Sequence, residues 1–452
     1  MPIDLTGPLA WTKADADGRR MLEALQGNIL KGHGRHFTSN VFFRLDPNRR
    51  EDARALLAHL AESHVTKALD QLEAAEHFKT TGKSGGPFVH LALAAAGYRA
   101  IGFDANLPAD GDFLDGMRSQ ASRDALADGD LSQWEAPFRE EIHGIVLAAE
   151  ENRVKTDALA AILVGLIEDG GGTIVHIQPG TAIFNDDKEG IEHFGYVDGR
   201  SQPLLLAEDV DGEAATVWDP AFPLDNALVK DPGIDDEVSF GSYFIFRKLE
   251  QNVRGFKTRE REIGRDLEAE NAKRVASGAA KPGTLTGTDF RELAGAYVVG
   301  RFEDGTPITV ADKAAGGKPP NSFDYAGDTG FRCPAHAHIR KTNPRGSGGG
   351  EPEAEERTHL LPRRGIPYED VKREVAAKDV PEAETDDAFL RDVAPLLPEA
   401  GVGLLFMAYN GDMARQFAFT QRFWANNAGF PFDPPGPHGT DPVIGQAPAP
   451  AP

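Results

Sequence analysis

Residues 143–178 read HGIVLAAEENRVKTDALAAILVGLIEDGGGTIVHIQ, an apolar run, a helical stretch and a second apolar run. Residues 143–149 (HGIVLAA) and 173–178 (TIVHIQ) are the short apolar segments expected of strands. Between them, residues 156–167 place Leu159, Ile162, Leu163 and Leu166 on one helical face, with Thr156 at the expected N-cap. The same order lies upstream. Residues 41–46 (VFFRLD) predict a strand, and residues 51–63 a helix with Ala53, Leu56, Leu57 and Leu60 at helical spacing. Residues 88–94 (FVHLALA) predict another strand. Strand–helix–strand twice over is the split arrangement of a ferredoxin-like α+β unit.

The second half varies this pattern. Residues 242–249 (SYFIFRKL) predict a strand entering a helical stretch, and residues 403–409 (GLLFMAY) another strand. The latter runs into residues 411–424, where Met413, Phe417, Thr420 and Trp424 share a helical face. The expected fold class is therefore α+β, with two ferredoxin-like units of antiparallel sheet and helices joined near residues 180–200. The expected division is 1–190, 191–446 with long insertions, and a flexible tail at 447–452. A single larger α+β domain without duplication is the competing reading. Residues 311–328, residues 346–356 (GSGGGEPEAEE) and the segment from Pro434 read as loops, the second a flexible glycine run with an acidic patch.

Composition narrows the function. The 452 residues carry 48 Lys+Arg against 71 Asp+Glu, a net charge of −23, which opposes binding to nucleic acid or an anionic membrane. One cysteine, Cys333, excludes an internal disulfide framework and fits a reducing compartment. No apolar run reaches the roughly 20 residues of a membrane span. The N-terminus lacks the basic and apolar regions of an export signal, so a cytoplasmic location is expected.

Three segments could carry chemistry. Residues 333–341 (CPAHAHIRK) hold two histidines and a thiol. Imidazole is a common metal ligand and the usual axial ligand of haem iron. A zinc site through Cys333, His336 and His338 lacks the usual spacing, and both histidines could equally be polar residues of an irregular stretch. Residues 193–203 (HFGYVDGRSQP) contain Asp198-Gly199, which alone reads as a turn. Residues 362–368 (PRRGIPY) put two guanidinium groups before a Gly/Pro turn, which alone reads as a solvated basic turn. Taken together they form a coherent set. Peroxide activation at haem needs an imidazole ligand, a base that moves a proton between the two peroxide oxygens, and a fixed cation for the charge that develops as the O–O bond breaks.

The three segments resemble the dye-decolorising peroxidase superfamily, in particular its longer bacterial and fungal members. Gly195-Tyr196-Val197-Asp198-Gly199 matches the family's G-x-x-D-G signature, and residues 333–345 resemble its proximal-histidine segment. Further resemblance runs through residues 26–32 (QGNILKG), 241–249, 300–307, 403–406 and Trp424-Ala425-Asn426. It departs at Ala335, where an aromatic residue is common, and at Glu369, where glycine is common. The resemblance implies haem b held mainly by the C-terminal unit, with His338 as axial ligand and His336 outside that role. It implies Asp198 as distal acid–base, Arg363 as charge stabiliser, and Arg340, Leu404 and Phe406 also at the cofactor. It implies a carboxylate or amide bonded to the proximal imidazole, which the sequence does not place. The implied reaction is oxidation of dyes, phenols and other bulky reductants by H2O2. The reductants would give electrons at the surface, with Tyr325, Tyr368 and Trp218 as candidates; a homo-oligomer is left open. Two rivals remain, a haem-handling protein with little turnover and a non-haem metal protein using His336 and His338.

Overall fold

Strict alternation along strand β3 (Gly144–Glu150) sends Val146 and Ala148 to one face of a sheet and Leu147 and Ala149 to the other. The computed structural model describes residues 3–279, 285–436 and 438–446, so the expected tail at 447–452 lies outside the described residues. Strands β1 (Phe37–Leu45), β2 (Phe88–Leu93), β3 and β4 (Gly172–Thr181) form one antiparallel sheet in the order β2-β3-β1-β4, the order of a ferredoxin-like unit. Helices α1 (Arg50–Ser63) and α3 (Arg153–Asp169) cover one face. There Ala53, Leu56 and Leu60 of α1 and Ala160, Leu163 and Ile167 of α3 pack on Val41, Phe43, Val146 and Ala148. Each fully buried leucine or isoleucine there stabilises by roughly 2 kcal/mol. The N-cap of α3 is Asn152, which accepts from Val154 N at 2.9 Å, so the helix starts a turn before the expected Thr156. Between α1 and β2 stands a helix the apolar spacing does not announce, α2 (Ala68–Thr81), whose buried residues cluster in its first turns.

The second sheet is built from β5 (Tyr243–Glu250), β6 (Ile366–Glu369) and β7 (Val402–Asn410) in the order β6-β7-β5, all antiparallel. The long helix α4 (Val253–Ala276) follows β5 directly and packs along α5 (Gly287–Val299). The two sheets face each other. Phe88, Leu147 and Ala149 of the first share one apolar cluster with Ile366, Tyr368, Leu405 and Met407 of the second. Residues Leu404, Phe406 and Ala408 of β7 therefore point to the opposite face, away from the first sheet.

The stretch after β7 is helical later than its spacing suggests. Residues 411–416 turn around the Gln416 carboxamide, which accepts from Gly411 N and Asp412 N. The helix then runs through Phe417–Phe419 and Thr420–Ala425. Two segments read as loops are also packed. Phe323 and Tyr325 are buried, and beyond Pro434 the chain folds back, with Asp441 N donating to Ala425 O at 2.8 Å. No helix among the described residues is long and apolar enough to cross a membrane.

Candidate active site

Four consecutive residues of one short helix, α6 (His338–Thr342), anchor four parts of the protein. Ile339 lies against Gly300, where an added Cβ would come within 2.3 Å of Ile339 Cγ1 and where φ is +96°. Only glycine serves there, at the end of α5, because both the close approach and the left-handed backbone exclude a side chain. Arg340 is buried and donates to Asp328 Oδ2 at 3.1 Å and to the Cys333 carbonyl at 2.7 Å, with its guanidinium over the Tyr325 ring. These bonds hold the loop before α6, and Nε of the same guanidinium, whose residue is expected at the cofactor, is buried without a partner among the described residues. Lys341 is fully buried and donates to the carbonyls of Trp424, Asn427 and Phe430 at 3.1, 2.7 and 2.6 Å. Burial pushes its pKa down to about 8, against the pull of Asp441.

Lys341 thus holds the segment that delivers Asp441. The Asp441 carboxylate is wholly buried and its Oδ2 lies 2.8 Å from His338 Nδ1. Its Oδ1 accepts from Val443 N and Ile444 N at 2.8 and 3.1 Å. Burial works against the charged form of both groups. The ion pair and hydrogen bond overturn it, holding the Asp441 pKa below and the His338 pKa above their ordinary values. With Nδ1 donating to a carboxylate, Nε2 is the nitrogen left to act as a ligand. Asp441 is thus a carboxylate bonded to the His338 imidazole, a partner that the sequence could not place; a glycine- and proline-rich tail gives no periodic signal for it.

Asp198 stands in a loop tied on both sides. Asp198 N donates to Gly190 O at 3.0 Å, Val197 N to Glu303 O at 3.0 Å, and the buried Tyr196 donates its hydroxyl to Glu260 at 2.7 Å. Glu192 accepts from Phe194 N and Tyr196 N, and burial raises its pKa to about 7 despite those bonds. The Asp198 side chain is exposed and accepts from the N–H of the next residue, Gly199, at 2.7 Å, a local bond within the turn.

Register explains the paired arginines. Ile366 pairs with Leu405, and the same ladder continues back to a bridge between Arg363 and Ala408. Arg363 therefore lies on the face of Ala408, Phe406 and Leu404, whereas Arg364 lies on the other. Arg364 donates to the carbonyls of Asn28 and Ile29 and fastens the 26–32 segment. In that segment Gln26 pairs its amide with both backbone groups of Leu91, covering the edge of β2. Arg363 instead reaches the Asp198 loop. Its amide donates to Gln202 Oε1 at 2.8 Å and its guanidinium to Arg200 O at 3.1 Å. Burial lowers the Arg363 pKa while the Asp198 charge raises it, and both Arg363 and Asp198 act on the His338 imidazole. Hydrogen bonds thus join Arg363 to the Asp198 loop, and the charges of both residues bear on His338.

The donor set suits haem. One imidazole is prepared by a carboxylate, Leu404 and Phe406 line an apolar face, and the Arg301 guanidinium is buried among neutral acceptors. Among the described residues Arg301 donates only to Gly305 O, Pro320 O and Ser201 Oγ, and burial together with Arg345, Arg200 and Arg363 lowers its pKa to about 9. Such a field favours an anion, as a propionate would be. No group of three close donors among the described residues includes His336, His338 or Cys333. The three aromatics considered as surface electron donors are all buried, Tyr325 at 3%, Tyr368 at 1% and Trp218 at 4% exposure.

Residues 24–173 match the DyP dimeric alpha+beta barrel domain. The chain is 43% identical over 457 residues to multifunctional dye peroxidase DyP2 of an Amycolatopsis species, covering 99% of this chain and 90% of that one. It is 30% identical to dye-decolorizing peroxidase msp1 of Mycetinis scorodonius, covering 94% and 76% of the two. The solved structure of the Amycolatopsis DyP2 superposes with a TM-score of 0.85 at 40% identity over 98% of this chain and 90% of that one. A DyP-type peroxidase of Anabaena superposes with a TM-score of 0.81 at 33% identity, over 97% and 89%. The chain belongs to the dye-decolorising peroxidase family and is an oxidoreductase of that type, acting on hydrogen peroxide.

Proposed function

We propose that this chain is a haem b peroxidase in which His338 is the axial ligand, Asp198 the distal acid–base and Arg363 the charge stabiliser. The observations that support the reading are the bridge that puts Arg363 on the face of Leu404 and Phe406, its bond to Arg200 O in the Asp198 loop, and a His338 imidazole whose Nδ1 is held by a buried carboxylate. Haem, when bound, supplies the iron that receives peroxide and the redox equivalents that substrates later reduce. Asp198 takes a proton from the near oxygen of H2O2 and returns it to the departing oxygen. Its exposure lets that proton exchange with solvent, and its loop bonds fix where the carboxylate stands. Arg363 meets the negative charge on the departing oxygen, and its backbone ladder and bond to Arg200 O hold it in place before reaction begins. Leu404 and Phe406 form the apolar wall on the same face and restrict entry to small molecules. Dyes and phenols then donate electrons from outside that wall.

Peroxide-dependent oxidation of an anthraquinone dye by the haem-loaded protein tests this directly. Turnover that is lost in Asp198→Asn with haem retained supports the assignment. Haem binding without peroxide-dependent turnover in the wild type would replace it with a haem-handling role.

A further inference from the structure

Residues 346–356, expected to be a flexible run ending in an acidic patch, are folded around one carboxylate. Glu356 is buried and accepts from Gly346 N at 2.6 Å and Gly348 N at 2.8 Å. The chain then winds through Glu353–Glu356 and the turn Arg357–His359. This winding brings one ligand-capable atom each of Glu351, Glu355 and His359 within 4.8 Å of one another. No other trio of His, Cys, Asp or Glu among the described residues meets that spacing.

His359 is the informative member. Its ring is 3% exposed, lies parallel to Phe419 at 3.6 Å and meets Trp424 edge-on at 5.3 Å, so it cannot turn freely. Nδ1 lies 2.6 Å from the Arg415 carbonyl. A carbonyl only accepts, so Nδ1 carries a proton, and in the neutral ring Nε2 is the nitrogen with the lone pair. That Nε2 is buried and makes no hydrogen bond, although Glu351 Oε1 lies 2.9 Å away. The approach is therefore off the direction an N–H···O bond would need. Two ligands about 2.1 Å from one ion are about 3 Å apart at right angles and about 3.4 Å apart at the tetrahedral angle, so this separation lies near that of a ligand pair.

We propose that Glu351, Glu355 and His359 form a binding site for a divalent first-row transition cation, separate from the haem ligand. One imidazole and two carboxylates suit such an ion, and a backbone carbonyl fixing the tautomer of the liganding histidine is the usual outer support. Glu351 and Glu355 are partly exposed, which gives the ion a route in from solvent. The Arg415 guanidinium pairs with Glu355 and donates to Thr358 Oγ1 at 3.0 Å, so it competes with the cation for one carboxylate. The bound ion would tie the 346–356 loop to the segment that leads into Arg363.

Titration calorimetry of the haem-loaded protein with Zn2+ tests the site. The expected result is a micromolar site that Glu351→Gln weakens at least about 100-fold and His359→Gln abolishes. Zn2+ should also raise the melting temperature of the wild type and not of Glu351→Gln. Glu351 is at the surface, so its variant remains informative if His359→Gln does not fold. Absence of binding at 1 mM Zn2+, or binding unchanged in Glu351→Gln, would overturn the proposal and leave an imidazolium–carboxylate pair in its place.

Discussion

Asp441 places a buried carboxylate oxygen 2.8 Å from Nδ1 of His338, across 103 residues of chain. A charged acceptor at Nδ1 gives the imidazole partial imidazolate character, which makes Nε2 a stronger donor. We expect Asp441→Asn to keep the shape and weaken that effect. Haem affinity or peroxidase activity should fall about 10–100-fold, the usual scale for losing such a partner. The reduction potential of the bound haem should rise. A potential equal to that of the wild type would show that Asp441 only packs against His338.

Asp198→Asn removes a base while retaining the hydrogen bond to Gly199 N. The rate of reaction with H2O2, measured by stopped flow, should fall about 10²–10⁴-fold with haem retained. The turn interpretation forecasts the reverse, intact reactivity, because the Asn variant keeps the turn bond.

Arg363→Leu should slow the same reaction roughly 10²–10³-fold, the cost of deleting one fixed charge-stabilising donor. Arg364→Leu should instead act on stability, because that guanidinium binds the Asn28 and Ile29 carbonyls on the opposite face of the ladder. Equal kinetic losses in the two variants would contradict the division set by register.

Glu192 links pH to stability. Burial raises its pKa in the folded protein to about 7 from an ordinary 4.5. The folded state therefore holds this proton more tightly than the unfolded chain. The group's favourable contribution is complete below about pH 4.5 and is lost as pH rises through about 7, a change of up to roughly 3 kcal/mol. Urea midpoints should fall between pH 5 and pH 8, and Glu192→Gln should flatten that fall. An identical fall in the variant would assign it to other groups.

The first sheet was legible because β1 and β3 are buried on both faces, against α1 and α3 on one side and the second sheet on the other, and such strands survive in sequence as short apolar runs. The α2 helix was not, because Ala68, Leu69, Gln71 and Leu72 are buried only in its first turns and the rest is solvated. The chemical residues divide similarly. His338, Asp198 and Arg363 sit in short motifs whose combined types suggest one chemistry. Asp441 reaches the site by tertiary folding of a segment without pattern, held by Lys341 and by its own bond to Ala425 O. Two residues on from His338, Arg340 does not share its helical face, and its guanidinium donates to Asp328, a partner the sequence did not suggest.

The visible absorption spectrum of protein loaded with haem, compared among wild type, His338→Ala and His336→Ala, tests the central assignment most directly. The wild type and His336→Ala should share one Soret band, and His338→Ala should lose it or retain haem only weakly. A His338→Ala protein with an unchanged spectrum, or a His336→Ala protein without haem, would contradict the ligand assignment and the mechanism built on it.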